Sequence, residues 1–339
     1  MTATTMKKKK ITYLIANFGG PRNLDEVFPF LKSLLNDPEV IRPKLPRLLH
    51  RFLFTRLAKK RAKTVIRDYE TIGGKSPIYA DTEAVAACLR QQMEGTILTF
   101  HRYIPATHKL FIQSMKNVQS DEIRVFPMFP QFTYATTGSI ARWFQHHLPQ
   151  RIVNRVRWVK SYPGHPAFVQ TTRQHISRFF RKHQLDEDKT ILLFSAHGIP
   201  KAFVAEGDVY EDECQASFHA VMEGFPTAMG QLAYQSKFGR DEWLKPYTID
   251  VCRDIDSWRK GRSHIVFVPI SFTSDHIETL FEIEQEYMTV IKRKGLKAYR
   301  VPALTCSPDW IHAIVDILNT SPFCNNHMLV RHTNISEGV

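Results

Sequence analysis

Short runs of β-branched and apolar residues alternate with longer stretches of helical spacing along almost the whole chain, and this alternation restricts the fold more than any other feature. Thr12–Ala16, Ile97–Phe100, Ile123–Phe126 and Arg155–Val159 read as strands. A second set follows at Ile191–Ser195, Gln231–Tyr234, Ile265–Val268 and Ala298–Val301. Between them, Thr82–Met93, Gly138–His147, Ala167–His183 and Pro308–Asn319 carry apolar residues at helical spacing. Such alternation predicts parallel sheets with helices on both faces. The expectation is an α/β chain of two Rossmann-like domains, each a mainly parallel four-stranded sheet flanked by helices. A length of 339 residues suits two cores of about 150 residues each. The expected divisions are a mobile basic arm at 1–10, a first domain at 11–165 that includes a basic, apolar lip at 28–60, a second domain at 166–320, and a tail at 321–339.

No window approaches the roughly 18–20 consecutive apolar residues of a membrane-spanning helix. The apolar stretch after Lys7–Lys10 stops at Gly19-Gly20-Pro21, shorter than a secretory signal requires. The formal net charge of +13 bears on partners rather than fold. It fits nucleic acid, an anionic membrane surface or an anionic small substrate. No nucleic-acid motif accompanies it, so no nucleic-acid partner is expected. The five cysteines, Cys88, Cys214, Cys252, Cys306 and Cys324, are odd in number, dispersed and without a CxxC pair. That excludes a zinc-ribbon spacing and argues for reduced thiols in a cytoplasmic protein.

In open α/β sheets, ligands bind beyond the carboxyl ends of the strands. Three clusters occupy such positions: Asn17-Phe-Gly-Gly-Pro21, Ser195-Ala-His-Gly-Ile-Pro200 and Ser271-Phe-Thr-Ser-Asp-His276. At a strand end, His197 suits a base or a metal ligand, and equally a structural imidazole bonded to backbone in a tight turn. Glu278, Glu282 and Glu286 recur at i, i+4 and i+8 on a helix expected to start near Asp275. Like charges at this spacing cost a few tenths of a kcal/mol per pair. A capping-type pair of Asp275 and Glu278 followed by a solvated face accounts for the pattern without function. His276 beside the ladder instead mixes nitrogen and oxygen ligands, a set suited to a divalent first-row metal in transit. Gly19-Gly20-Pro21 lacks G-x-G-x-x-G spacing, and the second strand ends in His101-Arg102 with no acid for a ribose. The glycine pair therefore reads as room for close backbone approach to a ligand. Between Arg42 and Lys63 lie nine Lys or Arg residues and no acid, with Leu45, Leu48, Leu49, Phe52, Leu53 and Leu57 at helical spacing. This amphipathic helix meets an anionic membrane surface or ligand, or simply packs its leucines on the core.

Taken together and in this order, several segments resemble the ferrochelatase family. They are Asn17-Phe-Gly-Gly-Pro21, Ser76-Pro-Ile-Tyr79, Tyr134-Ala-Thr-Thr-Gly138, Phe194-Ser-Ala-His-Gly-Ile-Pro200, Gln235-Ser-Lys-Phe-Gly239 with Trp243-Leu244, and Phe272-Thr-Ser-Asp-His-Ile-Glu-Thr-Leu280. The resemblance implies a chelatase-type pair of domains around a porphyrin cleft, into which ferrous iron is delivered as a substrate. It places a catalytic and metal-binding His197 and Glu278 on opposite walls. Asp275, His276, Glu282 and Glu286 match a distorted helix that carries protons or metal. Arg61, Tyr69 and Ser76 match contacts to substrate propionates, and Arg102 with Tyr103 matches a further structural or active-site pair. The lip matches a segment tied to peripheral membrane contact. Members with a [2Fe–2S] cluster carry three cysteines in a C-terminal extension and a fourth upstream. Here the tail has Cys324 alone, and Tyr134 stands at the upstream position. Four thiolates cannot be assembled, so no cluster and no permanently bound cofactor is expected. Phe129 and Tyr162 occupy positions where some relatives have Tyr and Trp on a proposed metal-entry route.

Metal insertion requires removal of two pyrrole protons and a tilt of the ring nitrogens out of plane, a strain of about 1–5 kcal/mol that binding energy can supply. Phe18, Trp243 and Phe272 are expected to grip the macrocycle, with His197 as proton acceptor or first iron ligand. The Ile-Glu-Thr-Leu form and the apolar lip favour protoporphyrin IX, with coproporphyrin III as the alternative acceptor. A non-catalytic porphyrin carrier is the competing class.

Overall fold

A computed structural model describes residues 9–42 and 45–331. Residues 1–8, 43–44 and 332–339 lie outside the described residues, and with them most of the expected arm, Lys44 of the basic run and the end of the expected tail. Lys10 is tied down: its N–H donates to the Asp121 carboxylate at 2.9 Å and its carbonyl accepts from the Asp121 N–H at 2.9 Å.

The apolar runs form strands where the sequence places them: β1 (Ile11–Asn17), β2 (Thr96–His101), β3 (Glu122–Pro127) and β4 (Val156–Val159), then β5 (Thr190–His197), β6 (Met229–Gln235), β7 (His264–Pro269) and β8 (Lys297–Arg300). The first four pair in parallel in the order β2-β1-β3-β4, and the second four in the order β6-β5-β7-β8. The two orders are the same. In each sheet the chain reverses its direction of progress between the first and third strands, at β1/β3 and β5/β7. Central strands are apolar throughout because both of their faces are covered; Leu14, Ile15, Leu192, Leu193, Val266 and Phe267 are all fully buried.

Five helices of the first half matter for the site: α1 (Val27–Leu35), α2 (Arg47–Thr71), α3 (Ile78–Gln92), α4 (Pro105–Lys116) and α5 (Ser139–His147). Among the described residues no helix is long and apolar enough to cross a membrane.

The sheets differ in one respect from two matching four-stranded units. A further strand, β9 (Phe323–Asn325), pairs antiparallel with β4 and makes the first sheet five-stranded. It comes from the segment expected to be a tail. The helix Pro308–Thr320, expected in the second domain, packs against α3, β3 and the helix Pro166–His183. The reason is apolar surface and an open edge. Trp310, Ile311, Ile314, Ile317 and Leu318 need cover, and β4 would otherwise expose unpaired backbone. One hydrophobic core accordingly runs from Ile15 and Phe126 through Phe168 and Trp310 to Phe194 and Val268, joining both sheets.

Candidate active site

Both reversal points open on the junction of the two halves. His197 is the last residue of β5. Its Nδ1 lies 2.7 Å from the Gly198 carbonyl. A carbonyl only accepts, so Nδ1 donates to it and Nε2 is the ring nitrogen left to take a proton or a metal. The backbone N–H of His197 donates to Ser271 Oγ at 2.9 Å, fixing the ring between Trp243 and Phe272, whose centroids stand 6.3 and 6.5 Å away. Gly198 has no room for a side chain: a Cβ there would lie 2.9 Å from the Gln235 carbonyl and 3.0 Å from the Trp243 ring. Trp243 is 9% exposed.

After β7 the chain carries Phe272, whose ring is 4.1 Å from that of His276. His276 Nδ1 faces the Ser274 carbonyl at 3.2 Å and must donate to it. Nε2 lies at ion-pair distance, 2.8 Å, from Glu278 Oε2. Burial alone would raise the Glu278 carboxyl, but the charge and hydrogen bond of His276, with a further contribution from His197, outweigh it and hold it at about 2. His197, at the end of β5, and Glu278, at the start of the helix that follows β7, are thus electrostatically coupled, and the Phe272 ring touches both imidazoles.

The helix bearing the acidic ladder is not an α-helix. Glu278–Tyr287 is a π-helix, with i→i+5 bonding of a kind that concentrates at functional sites. The expected regular i, i+4, i+8 face is widened, and the three carboxylates meet different surroundings. Glu278 is one-quarter exposed. Glu282 accepts from the Ser236 N–H at 2.9 Å, from the Ser236 hydroxyl and from the Tyr287 hydroxyl, so it ties the π-helix to the loop after β6. Glu286 is exposed, and burial, Glu282 and Asp68 of α2 raise its carboxyl. Asp275 does not cap the helix end with Glu278. Its carboxylate pairs with Arg300 at 2.7 Å and accepts from Thr279 Oγ1 at 2.9 Å. Among the described residues no three His, Cys, Asp or Glu side chains converge tightly enough to hold an ion.

The expected substrate contacts divide into two groups. Phe18 meets Phe272 at 6.5 Å across the junction and Tyr103 at 4.5 Å. The Arg61 guanidinium stands 4.5 Å over Phe238 in the loop after β6; burial lowers its pKa and Asp68 opposes the shift. Tyr69 is buried, and its hydroxyl is pushed up by burial and secondarily by the Glu278 charge. Ser76 is not open to a ligand: it is 3% exposed, its N–H donates to the Pro21 carbonyl at 2.8 Å, and it lies beneath Gly20. The room at Gly20 belongs to Ser76, not to a ligand, because a Cβ on Gly20 would come within 2.5 Å of Ser76 Cβ. Arg102 and Tyr103 are bound inward: Arg102 pairs with Asp37 at 2.6 Å and bonds Ser139, and the Tyr103 hydroxyl donates to Asp37 at 2.8 Å. Phe129 and Tyr162 are each 2% exposed.

The sequence reading missed Asp37 and Glu39. Both are buried, the first under Arg102 and Tyr103, the second paired with Arg142 and Arg331. A signal was present: they are the sole acids between Glu26 and Asp68 in a strongly basic stretch. The lip leucines, by contrast, do not all pack inward. Along α2 and just before it, Leu48 is 82% and Phe52 56% exposed, with Leu45, Leu49 and Leu53 also outward, while Leu57 packs on the core.

Two sheets that share one parallel four-strand order, with two imidazoles and a carboxylate after β5 and β7 and Phe18 after β1 meeting Phe272 between them, define a chelatase-type α/β protein. Solved structures agree on the fold. CbiX, described as the terminal enzyme of sirohaem biosynthesis in denitrifying bacteria, superposes with a TM-score of 0.50 at 12% identity, covering 91% of this chain and 98% of that one. SirB from Bacillus subtilis with Fe3+ gives 0.51 at 12% identity, covering 92% and 96%. The ferrochelatase family model matches residues 10–321. Ferrochelatases of Chlamydia abortus and Chlamydia trachomatis serovar A are 43% and 41% identical, over 94% and 92% of this chain and 99% and 96% of their own lengths. The chain belongs to the ferrochelatase family and is a porphyrin-metallating enzyme of haem synthesis.

Proposed function

We propose that the porphyrin is protoporphyrin IX and that iron insertion runs between His197 and the His276–Glu278 pair. The observation that carries this reading is the tautomer of His197: its Nδ1–H is spent on Gly198, leaving Nε2 as the free base or ligand beside two aromatic walls, Trp243 and Phe272. A pyrrole proton passes to Nε2, or iron binds there first. Glu278 stays ionised and draws the metal or its displaced protons, and Glu282 and Glu286 continue the carboxylate series toward solvent. Phe18 and Phe272 press on the macrocycle. Arg61 is placed for a propionate over the loop after β6, and Tyr69 and Ser76, 2% and 3% exposed, join it only if the segments over them move. Iron is a substrate here; with Cys324 as the single thiol near the C-terminus, no resident cluster is part of the proposal. The outward Leu48 and Phe52 beside basic neighbours support peripheral contact with an anionic membrane face from the cytoplasmic side.

Anaerobic Fe2+ insertion into protoporphyrin IX and coproporphyrin III, followed by the visible spectrum, tests the substrate. A larger kcat/KM for protoporphyrin IX is expected; a larger value for coproporphyrin III reverses the assignment. Flotation with anionic and neutral liposomes tests the lip, and absence of binding to both rejects membrane contact.

A further inference from the structure

A groove of about 1740 Å³ lies on the far side of α1 from the junction, larger than the roughly 300–1,000 Å³ of ordinary small-molecule sites. α1 divides the two spaces. Val27, Phe30, Leu31 and Leu35 pack in the cluster that holds Tyr103 and touches Phe18, whereas Phe28, Pro29, Lys32 and Ser33 line the groove. His197, Trp243, Phe272 and Glu278 do not line it.

Its charge is one-sided: seven Lys or Arg residues and a single acid, Asp37. Three of the cations are committed, Arg102 to Asp37 and both Arg142 and Arg331 to Glu39. Lys32, Arg47, Arg51 and Arg56 are exposed and have no acidic partner among the described residues. His50, 4% exposed, also lines the groove, its ring 4.2 Å from that of Phe54. Two exposed rings face it: His147, backed by the buried Trp143 at 4.3 Å and 9°, and Phe52, which carries Arg56 over its ring at 5.0 Å.

We propose that this groove is a second tetrapyrrole site, holding a carboxylate-bearing porphyrin or its metallated product outside the junction. The exposed rings of His147 and Phe52 suit the face of a macrocycle, and unpaired Arg side chains at the rim suit its propionates, which they engage through two parallel hydrogen bonds. A bare phosphate would use the cations and leave the rings uncovered. The two spaces are neighbours through one dipeptide: Arg102 lines the groove, and Tyr103 packs 4.5 Å from Phe18. The proposal rests on the family's porphyrin chemistry.

The test is an equilibrium titration of the full chain with metal-free protoporphyrin IX and, separately, its zinc complex, read at the Soret band. A second equivalent is expected for wild type, and its loss alone for Lys32→Glu/Arg51→Glu, whose positions are exposed and leave the core intact. One equivalent in a preparation that still inserts iron overturns the groove site and spares the family assignment; a preparation that inserts no iron strikes that assignment instead. A second equivalent unchanged by the charge reversal places the ligand on the exposed lip and overturns the groove. If the reversal abolishes binding of phosphatidylglycerol vesicles with no second tetrapyrrole ever seen, the groove is a lipid-headgroup site and the proposal fails.

Discussion

At the scale of single residues the site depends on which nitrogen holds a proton. His197 is half-buried and makes one side-chain hydrogen bond, to its neighbour's carbonyl, so its removal disturbs packing little and chemistry greatly. His197→Ala should lose at least about 10²-fold in kcat, the low end of a general-base contribution, with an unchanged unfolding midpoint; near-normal turnover would remove His197 from the reaction. The His276–Glu278 pair has a pH signature. The Glu278 carboxyl lies near 2 in the fold against an ordinary 4.5, so the folded state prefers its ionised form. That preference stabilises the fold above about pH 4.5 and is lost as pH falls toward 2. Glu278→Gln should therefore be less stable than wild type at pH 7, with the gap closing on acidification. Urea titrations at pH 7 and pH 3 measure it, and an equal gap at both would show that the charge is not what stabilises the pair.

At the scale of elements, the central strands were legible because burial on both faces demands apolar runs, as in Ile191–Phe194 of β5 and Ile265–Val268 of β7, whereas the edge strand β8, Lys297-Ala-Tyr-Arg300, showed only a short mixed run. The π-helix was not legible. Glu278, Glu282 and Glu286 satisfy α-helical spacing, and nothing local records the extra residue per turn, which is held by distant partners such as Ser236 for Glu282. The turn after β1 was half legible. Its glycines announce close approach, but only the fold reveals that Ser76, not a ligand, is what comes close. Gly20→Ala forces a Cβ against Ser76 at 2.5 Å, where both residues are buried and cannot yield freely. Overpacking of this kind costs about 1–3 kcal/mol. Gly164→Ala, where a Cβ meets nothing within 4 Å, is the control and should stay within about 0.5 kcal/mol of wild type. Chemical denaturation of both variants decides, and equal stabilities would mean the β1 turn adapts.

At the scale of the whole molecule, the segment after the last helix closes the structure. The Asn326 carboxamide accepts from Trp158 Nε1 at 2.9 Å and donates to the Ala141 carbonyl at 2.9 Å, joining β4 to α5 beneath a fully buried Leu329. Two residues on, Arg331 reaches both Glu39 near the lip and Glu206 of the second half, and Glu206 also pairs with Arg42, whose guanidinium lies 3.5 Å from the Phe203 ring. This segment thus fastens the first sheet, the lip and the second half together, through a buried Glu39 and Asn326 and a half-exposed Glu206. Sequence could not show this, because Asn326 and Arg331 are ordinary polar residues until the fold surrounds them. Asn326→Ala leaves a buried indole N–H without a partner, at a cost of about 1–3 kcal/mol, while the Ala141 carbonyl keeps its bond within α5, so a loss of about 1–3 kcal/mol is expected. Met328→Ala, two residues away and 62% exposed, should change stability by less than about 0.5 kcal/mol. If the segment were a loosely attached tail, the two variants would unfold at the same urea concentration; if it closes the molecule, Asn326→Ala alone shifts the midpoint, and a chain ending at Ser321 unfolds earlier still.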